Sequence, residues 1–252
     1  MTRTSFCFLH AADLHLDSPL HGLERYEEAP AAEIRGATRR AFDRLVQYAI
    51  ERQVAFVILA GDVFDGNWRD YGTGLWFAAR LRELTKHSIR VYLLAGNHDA
   101  DGKMTMSLPY PDGVFRFDTE APQTFVDAST GAVLHGQGFA RAAITDDLTA
   151  RYPKSTSGSL NIGVLHTALA GRQGHEPYAP CTPDKLASKG YDYWALGHVH
   201  QREVVGQQPW IVFPGNLQAR HVREPGAKGA TLVTVVDGRI TDVVPGIVPA
   251  PD

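Results

Sequence analysis

Asp13 and His15, Asp62 and Asp65, Asn97 with His98 and Asp99, then His166, and finally His198 with His200 are side chains that ligate cations or move protons. They come in five short clusters, each at the end of an apolar, strand-like run. In Asp13-Leu14-His15 and His198-Val199-His200 the polar residues are two positions apart, so both point to one side wherever the chain stays extended. Gly61, Gly96 and Gly197 directly precede Asp62, Asn97 and His198, where a glycine permits a sharp turn or a close backbone approach. Taken singly these residues are ordinary, because an aspartate after a strand caps a turn and a buried histidine usually serves the core. Taken together, oxygen and nitrogen donors without a thiolate match the needs of a pair of divalent cations.

The elements that must bring these clusters together are legible in the first hundred residues. Strand patterns over 5–12, 54–61 and 90–96 alternate with helical ones over 31–53 and 71–87. In the first helix Ile34, Ala41, Leu45, Ala49 and Ile50 share a face opposite Arg35, Arg39 and Arg44; in the second, Leu75, Ala78, Ala79 and Arg82 carry the pattern. This β-α-β-α-β order predicts an α/β sheet with helices packed on it, and such sheets bind ligands beyond the carboxyl ends of their strands. Beyond Asp99 shorter strands are expected at 113–117, 124–128, 132–139, 161–167, 193–197, 203–205 and 210–213, in a more antiparallel half. Residues 141–159 read as a short helix and a loop, and 230–244 as a hairpin turning at Asp237 and Gly238. No repeat or linker divides the chain, so one domain over 1–252 is expected.

Composition narrows the function. The formal charge of -3, from 25 basic and 28 acidic residues, gives no bulk attraction to a polyanion, so nucleic-acid contact requires a local patch. Cys7 and Cys181 are too few for a disulfide framework or a thiolate cage, which fits a reducing cytoplasm. The opening apolar run is broken by His10 and Asp13 and resembles neither a signal peptide nor a membrane span, so no membrane partner is expected. A Gly-rich phosphate loop with its lysine is missing too, which points to direct hydrolysis by water.

The motifs AxDLHLD, ILAGDVFD, LLAGNHD, VLHT and ALGHVH, in the order DxH, GD, GNHD, H, GHxH, resemble those of the calcineurin-like metallophosphoesterases over most of the chain. DLHLDSPL, HGQGF at His135–Phe139 and FPGNLQARHVRE at Phe213–Glu224 are similar to the DNA repair exonuclease branch, with its SbcD-like and YhaO-type nucleases. The resemblance implies a four-layer α/β/β/α sandwich of mixed sheets with helices outside. It implies two divalent metal ions, manganese first, with iron, zinc or magnesium as alternatives. Asp13, His15, Asp62 and His200 would hold one, and Asp62, Asn97, His166 and His198 the other, with Asp62 bridging. His98 would stay off the metals and act on the substrate phosphate or the leaving oxygen.

Asp65 would accept a hydrogen bond from His98 or cap the following turn; Asp99 would support a histidine ligand or shape its loop. For a DNA substrate, Arg202, Arg220, His221, Arg223 and Lys228 would contact the backbone, or form a solvated loop. Trp68, Tyr71 and Trp76 would stack bases, although the spacing of Trp76 also fits a core position, and His175 and Tyr178 would line the cleft or structure its loop. Chains of this branch continue into a capping domain and a segment that binds a coiled-coil ATPase, whereas this one stops at Asp252, so a catalytic domain without its cap is expected. A homodimer is implied by resemblance. Three functions follow: a DNA exonuclease or endonuclease acting in repair, a phosphoesterase for a small nucleotide or other ester, and a non-catalytic scaffold. The last would require lost ligands, and the sequence keeps them all.

Overall fold

Strands covered on both faces become nearly continuous apolar runs, and Phe6–Ala11 (β1), Phe56–Ala60 (β2) and Arg90–Leu94 (β3) are buried along most of their length. They pair in parallel in the computed structural model, which describes residues 4–18, 31–65, 70–100, 108–170, 178–220, 224 and 226–247. Trp68, His175, His221 and Arg223 lie outside the described residues. The short strand Val114–Arg116 (β4) continues the parallel order beyond β3. On the other edge, Gly229–Val236 (β11) and Arg239–Ile247 (β12) form the expected hairpin, with Asp237 and Gly238 both at positive φ as its turn requires. The first sheet runs β12-β11-β1-β2-β3-β4, with β11 antiparallel to β1.

The second sheet contains Gln123–Val126 (β5), Val133–Gly136 (β6), Asn161–His166 (β7), Tyr193–Gly197 (β8), Glu203–Gln207 (β9) and Trp210–Phe213 (β10). Its order is β5-β6-β7-β8-β10-β9. Beyond Asp99 antiparallel pairs do enter, β5 with β6, β9 with β10 and β11 with both β1 and β12, as the sequence leads one to expect, but the centre of the second sheet, β6, β7, β8 and β10, is parallel. That parallel order is hidden in the sequence because, among the described residues, the crossovers carry little helix, a 3₁₀ turn at Leu148–Arg151 and a five-residue helix at Pro183–Ala187.

Between the sheets lies a seam of Phe8, Phe56, Ile58 and Tyr92 against Leu134, Ile162, Val164, Tyr193 and Val212. Outside the first sheet, helices α1 (Ala31–Glu51) and α2 (Tyr71–Lys86) bury Phe42, Leu45, Phe77 and Leu81 against Leu9, Val57 and Val91. The face of α2 differs from the expected one: Leu75 is exposed, while Thr73, Gly74, Phe77, Ala78, Leu81 and Leu84 point inward. Asp70 starts that helix by accepting the backbone N–H of Gly72, which offsets the two early glycines. Trp76 packs on Phe42 with Arg39 and Arg80 over its ring. A third apolar layer, with Tyr152, Leu186, Tyr191 and Trp194, covers the outer side of the second sheet. The order is helix, sheet, sheet, helix, as the sequence resemblance implied. Among the described residues no helix is long and apolar enough to cross a membrane.

His10 belongs to the seam. Its Nδ1 lies 3.0 Å from the Tyr193 hydroxyl and its Nε2 3.1 Å from the Leu196 carbonyl, and burial drives its pKa down to about 3. It is a neutral core histidine.

Gly163 of β7 sits opposite Trp194 of β8, in the register that sets His166 beside Gly197. A Cβ at Gly163 would lie 2.3 Å from the Trp194 ring, which stacks on Tyr152 and Tyr191. Gly163→Ala is therefore expected to destabilise the fold by about 1–3 kcal/mol through overpacking. Urea unfolding checks this: the midpoint should fall with an unchanged slope, and an unmoved midpoint would contradict the packing assigned to Trp194.

Candidate metal centre

The carboxyl ends of β1, β2, β3, β7 and β8 open onto one point between the sheets, and their five clusters meet there. Three groups have ligand atoms within 4.8 Å of one another among the described residues: Asp13, His15 and His200; Asp62, His166 and His198; and His15, Asp65 and His98. One oxygen of Asp62 lies 3.3 Å from His166 Nε2 and 4.0 Å from His15 Nε2, so this carboxylate faces the first two groups at once. Asn97 Oδ1 is 2.9 Å from His166 Nε2 and 3.2 Å from His198 Nδ1, and His15 Nε2 is 3.3 Å from His200 Nε2. Nitrogens and oxygens converging this closely are arranged as a cation would require.

Local backbone explains how the side chains reach inward. Asp13, His15, Asp62 and His198 all adopt positive φ, at 53°, 42°, 54° and 97°. Each costs roughly 1–3 kcal/mol for a residue other than glycine and persists only where the surroundings enforce it. Enforcement is visible: Asp13 N–H and His15 N–H donate to the carbonyls of Gly61 and Asp62, at 3.0 Å each, and His198 N–H donates to the Asp13 carboxylate. A Cβ at Gly96 would lie 2.2 Å from Asp62 Oδ1, and one at Gly61, itself at φ +97°, would lie 2.4 Å from His166 Nδ1. Glycine is required where Asp62 and His166 close on each other.

Asp99 is buried, and its carboxylate accepts the N–H groups of Val63, Phe64 and Gly96, tying the turn after β2 to the turn after β3. Asp65 contacts His15 more closely than the expected His98: Oδ1 is 2.7 Å from His15 Nδ1 and 3.4 Å from His98 Nδ1. Its other oxygen accepts from Ser18 and from Arg220 Nη2 at 2.9 Å. Arg220 thus turns inward instead of standing on a solvated loop. The Nε of Arg202 is buried, and its charge acts on His10 and Tyr193 in the seam. Lys228 donates to the His200 carbonyl at 3.3 Å, and the Tyr178 ring lies 5.6 Å from that of His198. His98 stands out by exposure: 41% of its side chain is accessible, while His15 and His166 are fully buried.

Sequence reasoning assigned no role to Glu224, Asn216 or Ser18. Glu224 Oε1 lies 2.7 Å from His200 Nδ1, and Oε2 accepts from the Asn216 amide and the Arg220 backbone N–H, both at 2.8 Å. The available signal was an acid closing the basic stretch QARHVRE. His135, from the HGQGF motif, sits elsewhere, bonded to Thr124 and stacked on Tyr191.

The electrostatics describe a place for positive charge. Burial lifts Asp13 to about 6 and Asp99 to about 7, with the charge of Asp62 adding to both. Burial opposes ionisation of Asp62 too, but the His166 and His15 imidazoles outweigh it and hold that carboxylate well below the usual range. Burial would lower His166, yet Asp62 and Asp13 raise it to about 9. At His15 burial prevails over Asp65 and gives about 4. Clustered buried carboxylates that recruit a proton onto an imidazole fit divalent cations, which would take over that neutralising role.

Residues 7–202 match the family described as calcineurin-like phosphoesterase. The chain is 38% identical to the Bacillus subtilis "uncharacterized metallophosphoesterase YhaO" over 94% of its own length and 59% of that protein. It is 26% identical to the Methanopyrus kandleri "DNA double-strand break repair protein Mre11" (76% of this chain, 44% of that one). To the SbcD chain of the Escherichia coli nuclease SbcCD it is 27% identical (93% of this chain, 66% of that one). The chain therefore spans roughly half to two thirds of these curated relatives. Among solved structures, TT1561 of Thermus thermophilus shares the fold, with a TM-score of 0.55 at 16% identity, covering 98% of this chain and all of that one.

A cation entering this centre must displace the proton held by His166, and at lower pH that of Asp13. Since His166 is raised to about 9, affinity for a divalent cation should climb with pH toward that value and fall as pH drops through neutrality. Calorimetric titration with manganese in buffers of different ionisation enthalpy should register proton release. An affinity that does not vary with pH, with no proton released, would refute the His166–Asp62 arrangement.

Proposed function

The chain belongs to the calcineurin-like phosphoesterase family, a family of dimetal hydrolases, and from that premise we propose that it hydrolyses a phosphodiester of DNA. The observation that carries the reading is the convergence of Asp13, His15, Asp62, Asn97, His166, His198 and His200 from two sheets, with the exposed His98 beside them. Asp13, His15, Asp62 and His200 hold one cation and Asp62, Asn97, His166 and His198 the other, manganese being the first choice. Bound there, the pair supplies Lewis acidity to the phosphoryl oxygens and a water of lowered pKa.

The chain's own residues supply the rest. His98 reaches solvent while its backbone N–H donates to Asp62 at 2.9 Å, so its position is tied to the centre although its ring is free to meet a substrate. It donates to the phosphate or protonates the leaving oxygen. Asp65, nearer to His15, acts on His98 only as an electrostatic neighbour at 3.4 Å. Tyr178 and Lys228 flank the opening, from beside His198 and His200. The similarity to Mre11 and to the SbcD chain of SbcCD supports nuclease action in DNA repair; a coiled-coil ATPase partner and a homodimer belong to the same proposal through the motif resemblance alone, and the unpaired Cys7 and Cys181 support a cytoplasmic setting.

A second reading, hydrolysis of a small nucleotide or another phosphate ester, is favoured by one observation. Arg220, expected along a DNA path, is engaged with Asp65 and Ser18, and the net charge is -3. End-labelled single- and double-stranded DNA assayed beside bis-p-nitrophenyl phosphate, with manganese, separates the two. DNA cleavage, with binding that weakens as salt rises, supports the first; turnover of the small diester alone supports the second. In either case His98→Ala should lose roughly 10²- to 10⁴-fold in kcat while still binding two cations. A variant with unchanged kcat would remove His98 from the chemistry.

A further inference from the structure

The two halves of the centre are backed differently. His166 Nδ1 meets a neutral partner, the Ala60 carbonyl at 2.9 Å, while His198 turns its Nδ1 into the centre, toward the Asn97 amide oxygen at 3.2 Å. His15 and His200 instead point their Nε2 atoms at each other, 3.3 Å apart, and each sets its Nδ1 2.7 Å from a carboxylate, Asp65 for one and Glu224 for the other. A carboxylate at Nδ1 fixes the tautomer that leaves the Nε2 lone pair free, and raises the basicity of the ring.

Arg220 joins the two carboxylates. Its backbone N–H donates to Glu224 Oε2, and its guanidinium donates to Asp65 Oδ2 and, at 2.8 Å, to Ser18 Oγ. Asn216, fully buried and bonded through its own N–H to the His200 carbonyl, gives its side-chain amide to the same Glu224 oxygen. Asn216, Arg220 and Glu224 thus brace the backs of His15 and His200, although these histidines come from opposite ends of the chain.

We propose that Glu224 is a positioning residue that, through His200 and together with Asp65, makes the cation place of Asp13, His15, Asp62 and His200 the tighter of the two. Arg220 holds Glu224 and Asp65 in register with each other. This rests on the two-cation reading above and adds an order of filling and the residues that set it. Glu224→Gln keeps the size and an acceptor oxygen but removes the charge, whereas Glu224→Ala removes both.

The test is a manganese titration of the apo chain by calorimetry and by electron paramagnetic resonance, which counts free and bound ion without any turnover. Wild type should fill two places of unequal affinity. In Glu224→Gln the tighter one should weaken by roughly 10- to 100-fold while the other stays as it was; Glu224→Ala should weaken it further. Arg220→Gln should weaken the same place by a smaller factor, which a residue serving only to contact substrate would not do. Thermal unfolding in chelator reports whether each variant folds, and comparison is made among variants within a few degrees of wild type; were Glu224→Ala lost to misfolding, Glu224→Gln and Arg220→Gln carry the test. Two places in wild type with unaltered affinities in Glu224→Gln, or loss confined to the weaker place, would overturn the proposal alone. A wild-type chain that binds no divalent cation would overturn the two-cation reading and this inference with it.

Discussion

Everything at this centre follows from placing the Asp13 and Asp62 carboxylates, both almost wholly buried, at the seam of two sheets. Charges there are costly unless paired or hydrogen-bonded, and their mutual repulsion adds to the cost. The protein answers with backbone N–H groups, from His198 to Asp13 and from His98 to Asp62, and with imidazoles around Asp62. That answer is incomplete, as the elevated pKa of Asp13 and the proton drawn onto His166 testify. A site left short of positive charge and walled by neutral donors selects for cations.

The same demand reaches into the scaffold. Positive φ at four positions of the centre can be sustained only if the strands leading to them are immobile, and the parallel strands β1, β2, β3, β7 and β8 are among the most buried parts of the molecule. Parallel pairing matters because it brings the carboxyl ends of neighbouring strands to one edge of each sheet. The sheets stack face to face, so both edges overlook the same gap, and Asp62 from one sheet meets His166 from the other at 3.3 Å.

How much of this was legible depended on how local the signal was. The five clusters, the first three strands and both long helices were readable, since apolar runs, helical periodicity and glycine before a ligand are properties of neighbouring residues. The parallel order of the second sheet was not, because among the described residues its crossovers carry only a 3₁₀ turn and a five-residue helix, too short to announce such connections. Leu75 was misplaced for a related reason: an apolar residue at helical spacing reads as buried, but the neighbouring Phe77 and Ala78 set the inner face of α2. Asp65 was expected on His98, downstream in the GNHD motif, while the shorter contact is with His15, fifty positions upstream; both partners are remote in sequence, so only the folded chain ranks them. Glu224 escaped because its partners, His200 and Asn216, are defined only once the chain has returned past the site.

Exposure then divides the histidines into working groups. His10 is enclosed between Tyr193 and a carbonyl, is neutral, and serves packing. His15 and His166 are as deeply buried but aim a nitrogen at Asp62, a geometry that burial alone does not explain and that the proposed shared ligation would. His98 keeps its backbone in the centre and its ring against His15 but partly open to solvent, so among the residues of the GNHD turn it is the one able to meet a molecule from outside. Under the proposed function this division is useful: burial would hold cation ligands in place, while the most exposed imidazole would be the one to exchange a proton with substrate. One strand-end turn, Asn97-His98-Asp99, carries three adjacent polar residues to three separate tasks: facing His166 and His198, facing solvent, and bracing the turn after β2. That division follows from the short helix Asn97–Ala100, which rotates successive side chains by about 100° and so cannot point neighbours the same way.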